Sequence, residues 1–361
     1  MPRLEFVTLD VFTKERYAGN PLAVVKVPEG VEVSTEVMQK IAREFNLSET
    51  IIIHDAKTGA DGLPEWRVRI FLTYAEIPFA GTFFHVRQIY HATRRDFHLS
   101  HVHPYQITAS SRTSNTSHAD RRIPTLGHPT IGAAVYALGN LSADSSSVSR
   151  KGRLLANAGP MELTYNPSTG VATAGIAHNF HEHVQYPFTV EEVHALQPAL
   201  KTAVKLSQQN IAIVSPVKGM NFIAVELPDL KALAAVSTSF KPTPKLDDDW
   251  NVGFSGSYYY VYTSSPAKSS DGIEKITVQC RMIEGLFEDP ATGSAGCGFA
   301  CYAALKRASS KVTHFSITQG VEMGRKSDIE VTVTLTEDLK AIEHVELGGS
   351  AVKVMEGFVE Y

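Results

Sequence analysis

The run Glu288-Asp289-Pro290-Ala291-Thr292-Gly293-Ser294-Ala295-Gly296 sets two acids, a proline and small polar residues at the start of an apolar helix. Pro290 cannot sit inside that helix, so it marks the turn before it. Thr292, Gly293 and Ser294 then fall where the first backbone N–H groups have no partner within the helix. Those donors, with the positive end of the helix dipole, make a seat for a carboxylate or phosphate. Gly293 lets a ligand approach the backbone closely. Asp289 stands beside the seat as a proton handler or orienting group. Ser, Thr and Asp are also common helix caps, and local chemistry alone leaves both readings open.

A turn of this kind has to be held by strands. Residues 276–282 read as the strand that leads into it, and the helix after it, 294–305, is apolar on most faces and must be buried. An earlier stretch repeats the plan. Arg67-Val68-Arg69-Ile70-Phe71 leads to Glu76, then Pro78 and the small-residue helix 130–138. Two halves of strands, each around one buried helix, would face each other across a cleft where the helix N-termini converge. Period-2 patterns predict further strands at 4–13, 22–27, 50–53, 66–73, 211–214, 222–227, 257–263, 329–335 and 358–361. A hairpin of 152–165 with 170–178 turns at Asn166-Pro167-Ser168. Helical spacing predicts 35–45, capped by Ser34, and 189–200.

A chain of 361 residues exceeds the usual size of a single core, so two domains are expected. Hydrophobic content of 43% and charged content of 20% describe a protein able to bury that core. A formal charge of −4 gives no sign of nucleic-acid binding. No apolar stretch approaches the length needed to cross a bilayer, and the N-terminus runs straight into a strand pattern without a signal core. Cys280, Cys297 and Cys301 show neither zinc spacing nor a disulfide framework, which points to a reduced, cytoplasmic setting.

The motif 289–295 resembles the signature of the PhzF-like phenazine-biosynthesis isomerase family, which shares the diaminopimelate-epimerase fold. Three more runs agree in order: Leu9-Asp10-Val11-Phe12-Thr13 with Gly19-Asn20-Pro21, Asn46-Leu47-Ser48-Glu49-Thr50, and His128-Pro129-Thr130-Ile131-Gly132-Ala133-Ala134. The resemblance implies an α+β fold of two pseudo-symmetric barrel-like β domains. Each would wrap a central α-helix, with the active-site cleft between them. Residues 1–179 and 180–349 would form the two domains, and 350–361 would return to the first as a terminal strand.

By the same resemblance Glu49 is the general acid/base, where residue type alone suggests a solvated surface glutamate. His128 and Asp289 orient the substrate or relay protons, while Thr292, Gly293, Ser294 and Asn20 bind it. His128 also reads as a buried, hydrogen-bonded histidine, and Ser294 as a cap. A carboxyl in a dry cleft has its pKa raised, so it can take a proton and return it elsewhere. The implied activity is a cofactor-independent, metal-independent isomerisation of a small carboxylated metabolite by a homodimer. Alternatives are a carboxylate-based epimerase or racemase, and a catalytically silent binding protein. Cys297 and Cys301 fall inside the helix and read as packing residues.

One stretch departs from the family pattern. Pro78-Phe79-Ala80-Gly81 and His128-Pro129-Thr130, continuous in the family, are separated here by the 46 residues 82–127. Six of the 14 histidines lie there, with six arginines and no lysine. We read it as a retained intron translated in frame. Gly81-Thr82-Phe83 can be encoded with the donor sequence GTACGT, Leu126-Gly127 with the acceptor TTAG, and Ala119-Asp120 with the branch sequence CTGAC. Excision would restore Phe-Ala-Gly-His-Pro-Thr. The rival readings are a lid or partner-binding loop that could silence the site, or a metal loop built on His98, His101 and His103.

Overall fold

Alternating apolar and polar residues in Arg3–Val11 build β1, which turns back into β2 (Asn20–Val27) through a loop with Phe12, Tyr17 and Gly19 at positive φ. The computed structural model describes residues 2–77, 127–141, 149–157, 159–250 and 253–361. Helix α1 (Thr35–Phe45) is capped by Ser34, whose Oγ accepts from Val37 N–H at 3.3 Å, and buries Met38, Ile41 and Ala42. Strands β3 (Thr50–His54), β4 (Lys57–Thr58) and β5 (Pro64–Phe71) follow, then α2 (Gly127–Gly139), β6 (Arg150–Ala156), β7 (Gly159–Asn166) and β8 (Val171–Gly175).

The chain continues through β9 (His181–His183), α3 (Val190–Leu196), α4 (Pro198–Ala203), β10 (Ile211–Val217), β11 (Met220–Glu226) and α5 (Leu230–Ala234). Next come β12 (Phe254–Tyr262), β13 (Ala267–Lys268), β14 (Glu274–Glu284), β15 (Phe287–Asp289) and α6 (Gly293–Arg307). Strands β16 (Val312–Gln319), β17 (Ser327–Leu335) and the 19-residue β18 (Ile342–Glu360) close the chain.

Pairing in the order β1-β2-β3-β5-β6-β7-β8-β18-β1 returns to its start, so eight strands form a closed ring in a mixed α/β fold with few helices. Only β2–β3 and β5–β6 in it are parallel. A second series runs β10-β11-β12-β14-β16-β17-β18, again with two parallel pairs, β11–β12 and β14–β16. Strand β9 extends it on the free edge of β10. The stretch between β8 and β9 links its two ends, as Ile176 N–H reaches Val345 O at 2.9 Å and Asn179 N–H reaches Pro216 O at 2.9 Å. Strand β18 serves both series: Glu330–Leu335 of β17 pair with its first third, and Arg3–Val11 with its second half.

Helices α2 and α6 are buried along almost their whole length, α2 against β1, β2, β7, β8 and β18, and α6 against β10, β17 and β18. Phe299 of α6 packs its ring among Tyr258, Tyr260, Tyr262 and Phe315. Burial of such all-round apolar helices is the main reason strands must surround them. No helix among the described residues is long and apolar enough to cross a membrane.

Three sequence expectations need correction. Residues 152–165 are two antiparallel strands, not one, because Gly159 at φ +127° reverses the chain after Asn157. The helix 189–200 breaks at Gln197, since Pro198 cannot supply an intrahelical N–H bond and instead opens α4. The tail 358–361 is the end of the long β18, whose start Gly348-Gly349 obscured. Strand β16 had no matching expectation. Residues 82–126, with His98, His101 and His103, lie outside the described residues; Gly127 is described and opens α2.

Candidate active site

Three turns deliver the acidic and imidazole groups. Helix α1 ends at Asn46 in the left-handed region (φ 52°), and Leu47-Ser48 carry the chain to Glu49 just before β3. His128 is the second residue of α2. Asp289 ends the β14–β15 hairpin, where it faces Met282 across the ladder. An ion pair braces that hairpin, with the Arg281 guanidinium bound by both oxygens of Glu288 at 2.8 and 2.7 Å. Arg69 and Glu76 make the same bidentate pair at the same spacing of seven residues in the first half, at 2.8 and 2.5 Å.

The helices meet N-terminus to N-terminus. A Cβ on Gly127 would lie 2.6 Å from Gly293 Cα, and one on Gly293 would lie 2.8 Å from Gly127 Cα. Such distances exclude any side chain, so glycine at both positions is what allows the contact. Two positive dipole ends thus converge beside His128 and Ser294.

Glu49 Oε2 and His128 Nε2 face each other at 3.3 Å, with their side chains only 13% and 7% exposed. Alignment is poor, and neither atom has a hydrogen-bond partner among the described residues. Burial pushes the Glu49 carboxyl up to about 7, opposed only by a bond from Ser48. Burial drives His128 down to about 4, with Asp289 pulling the other way. Between about pH 4 and pH 7 both are therefore mainly uncharged, and two such polar atoms in a dry place, without partners among the described residues, are an unusual arrangement that a bound ligand would satisfy.

Asp289 is held from several sides. Asn20 Nδ2 donates to its Oδ1 at 2.9 Å and to Ala291 O at 2.9 Å, joining β2 to the turn before α6. Thr292 Oγ donates to Oδ2 at 2.5 Å. Burial raises the Asp289 carboxyl to about 6, against the opposing pull of Thr292 and His128. Thr292 is the residue before α6 yet makes no side-chain cap bond, so its hydroxyl serves Asp289 instead. Both amide hydrogens of Asn20 are spent inside the protein, which leaves only its carbonyl oxygen for a ligand. Ser294 is partly exposed beside Gly293.

Gln319 and Arg325 were not singled out from the sequence. Gln319 bonds the 289–292 turn at both ends of its amide. Arg325 clasps the loop before Asn20, reaching Asp10 Oδ1 at 2.7 Å and the carbonyls of Ala18 and Gly19 at 2.8 Å. Neither lies in a recognisable motif. Their partners sit up to 315 residues away, a separation that residue type and local spacing cannot signal. The three cysteines are buried and free, with their thiols raised by burial, as packing residues should be.

One cluster among the described residues has metal-ligand types, His181, His183 and Asp247. Its atoms are already occupied. Asp247 N–H donates to His183 Nδ1 at 3.2 Å, so Nε2–H donates to Ser215 Oγ at 2.9 Å, which donates to Asn221 Oδ1 at 2.7 Å. The Asp247 carboxylate accepts from His181, Val184 and Gln185. That tautomer also prevents His183 from acting as base toward Ser215. The cluster is a hydrogen-bonded strut between β9 and β10.

A ring of strands about a buried helix, with Glu49 Oε2 and His128 Nε2 lacking hydrogen-bond partners among the described residues, could exchange protons with a bound ligand. Residues 9–85 and 119–357 match the PhzC-PhzF family of phenazine biosynthesis-like proteins. An uncharacterized isomerase of Mesorhizobium japonicum is 27% identical over 99% of both chains. Trans-2,3-dihydro-3-hydroxyanthranilate isomerase of Pseudomonas aeruginosa is 25% identical over 98% of both. The crystal structure of a PhzF-family phenazine biosynthesis protein from Enterococcus faecalis covers the whole of both chains, with a TM-score of 0.59 at 18% identity. The chain belongs to the PhzC-PhzF family, and it is an enzyme of the isomerase type.

Proposed function

We propose that this protein isomerises a small carboxylated metabolite without a cofactor, with Glu49 as general acid and base. The observation that carries this reading is the pair Glu49 Oε2 and His128 Nε2, buried, without hydrogen-bond partners among the described residues and facing each other where two helices begin. A carboxyl near pKa 7 suits both directions of transfer at neutral pH. Glu49 would remove a proton beside an activated carbon, the double bonds would rearrange, and the same group would return the proton at another carbon. No net oxidation occurs and no proton is consumed. The helix-start N–H groups with Ser294 would hold the substrate carboxylate, and His128 and Asp289 would orient it.

The matched pairing orders of the two strand series, and the twin ion pairs Arg69–Glu76 and Arg281–Glu288, support reading residues 1–179 and 180–349 as pseudo-symmetric domains. The cleft would then lie between them, with residues 350–361 belonging to the first. A second reading, epimerisation, is favoured by Asp289 as another carboxyl raised by burial. The first test uses trans-2,3-dihydro-3-hydroxyanthranilate as probe in deuterated water, followed by NMR. Turnover with label at a new carbon supports isomerisation; label at the original carbon with inverted configuration supports the epimerase. Glu49→Gln should lower turnover by about 10²–10⁴-fold. Retention of activity within about threefold, far below that range, would remove Glu49 from the role.

A further inference from the structure

Gln319, the last residue of β16, is fully buried and meets the 289–292 turn with its whole amide. Its Oε1 accepts from Thr292 N–H at 3.1 Å; its Nε2 donates to the Asp289 carbonyl oxygen at 2.7 Å and to Thr292 Oγ at 3.0 Å. Cys280 Sγ also faces Oε1, at 3.7 Å. Turning the amide over would set donor against donor at Thr292 N and oxygen against oxygen at Asp289, so the network permits one orientation. That orientation settles the Thr292 hydroxyl. Its oxygen accepts from Gln319, and its own proton goes to Asp289 Oδ2.

We propose that Gln319 is a positioning residue of the site: it directs the Thr292 hydroxyl onto Asp289 and so holds Asp289 as an acceptor with both oxygens fixed. Asn20 fixes Oδ1 from β2, and the Gln319–Thr292 chain fixes Oδ2 from β16. The balance of charge on Asp289 thus depends on an amide that does not touch it through its carboxylate. A glutamate at 319 would accept where Gln319 donates. It would draw the Thr292 proton to itself and add a negative charge, both of which favour protonated Asp289.

The inference takes from the proposed function only that Asp289 belongs to the site. Its test needs no substrate, so a failed turnover assay and a failed titration are separate results. Asp289 is followed by NMR in protein labelled with ¹³C at aspartate carboxyls, its signal assigned by loss in Asp289→Asn. Gln319→Glu should raise its titration midpoint by about one pH unit or more, and Gln319→Met by less. Thr292→Val should raise it too. Combining Thr292→Val with Gln319→Met should give no more than Thr292→Val alone, because Gln319 acts through that hydroxyl. Thr292→Ser, which keeps the hydroxyl, should titrate like the parent. An unmoved midpoint in Gln319→Glu, or additive effects in the double variant, would overturn the proposal.

Discussion

At the residue scale, burial favours the uncharged form of both Glu49 and His128, and stability must record it. The Glu49 carboxyl has a folded pKa of about 7 against an ordinary 4.5, and Asp289 about 6 against 3.8. A raised carboxyl pKa means the folded state binds its proton more tightly. The contribution is fully present below the ordinary value and is lost as pH rises through the folded one. His128, lowered to about 4 from 6.5, works oppositely and costs stability as pH falls from 6.5 toward 4. Glu49→Gln removes the alkaline loss. The variant should therefore gain on the parent by on the order of 2–3 kcal/mol between pH 5 and pH 8. Melting temperatures of both proteins across that range check this. A difference that does not grow with pH would mean Glu49 is not held in a dry site. The type of residue at each of these positions was legible in the sequence through the family motifs. The environments were not: nothing in Asn46-Leu47-Ser48-Glu49-Thr50 says that Glu49 faces an imidazole brought from residue 128.

At the scale of elements, the contact of α2 with α6 rests on two hydrogen atoms in place of side chains. Gly127→Ala would press a methyl group onto Gly293 Cα at 2.6 Å, where only backbone could yield. The helices would have to separate, and the loss should be about 1–3 kcal/mol, measured by denaturant unfolding. Gly293→Ala meets Gly127 Cα at 2.8 Å and the Leu347 side chain at 2.9 Å, and should behave alike. Full stability in both would show that the two helix starts do not touch. The elements themselves were largely readable where one period dominates. Residues 35–45 form a helix with Ser34 as its cap, and strands at 211–214, 222–227 and 276–282 are present with bounds longer or shifted by a few residues. Reading failed where one residue overrode a pattern, as Pro198 and Gly159 did, and where a strand such as β18 changes partners along its length. Its pairing with β17, β8 and then β1 is a property of the closed sheet, which no local window contains.

At the scale of the whole molecule, residues 82–127 are the stretch whose effect on the enzyme can be tested by removal. The family match itself breaks within this stretch, between residues 85 and 119. Position 127 explains why excision is physically acceptable. The residue before His128 must be glycine to meet Gly293, and removing 82–127 brings Gly81 to that place. The chain that remains would keep the α2–α6 contact and the approach of His128 to Glu49. Closing a loop of this length costs about 3 kcal/mol of chain entropy. The deletion form should therefore melt several degrees higher than the full chain. It should also turn over faster on any substrate the full chain accepts, because His128 would be tied directly to the strand side of the site. Parallel purification, thermal melts and steady-state kinetics of the two forms decide it. A deletion form that melts lower or works more slowly would make 82–127 an integral lid, and the translated-intron reading would fall with it.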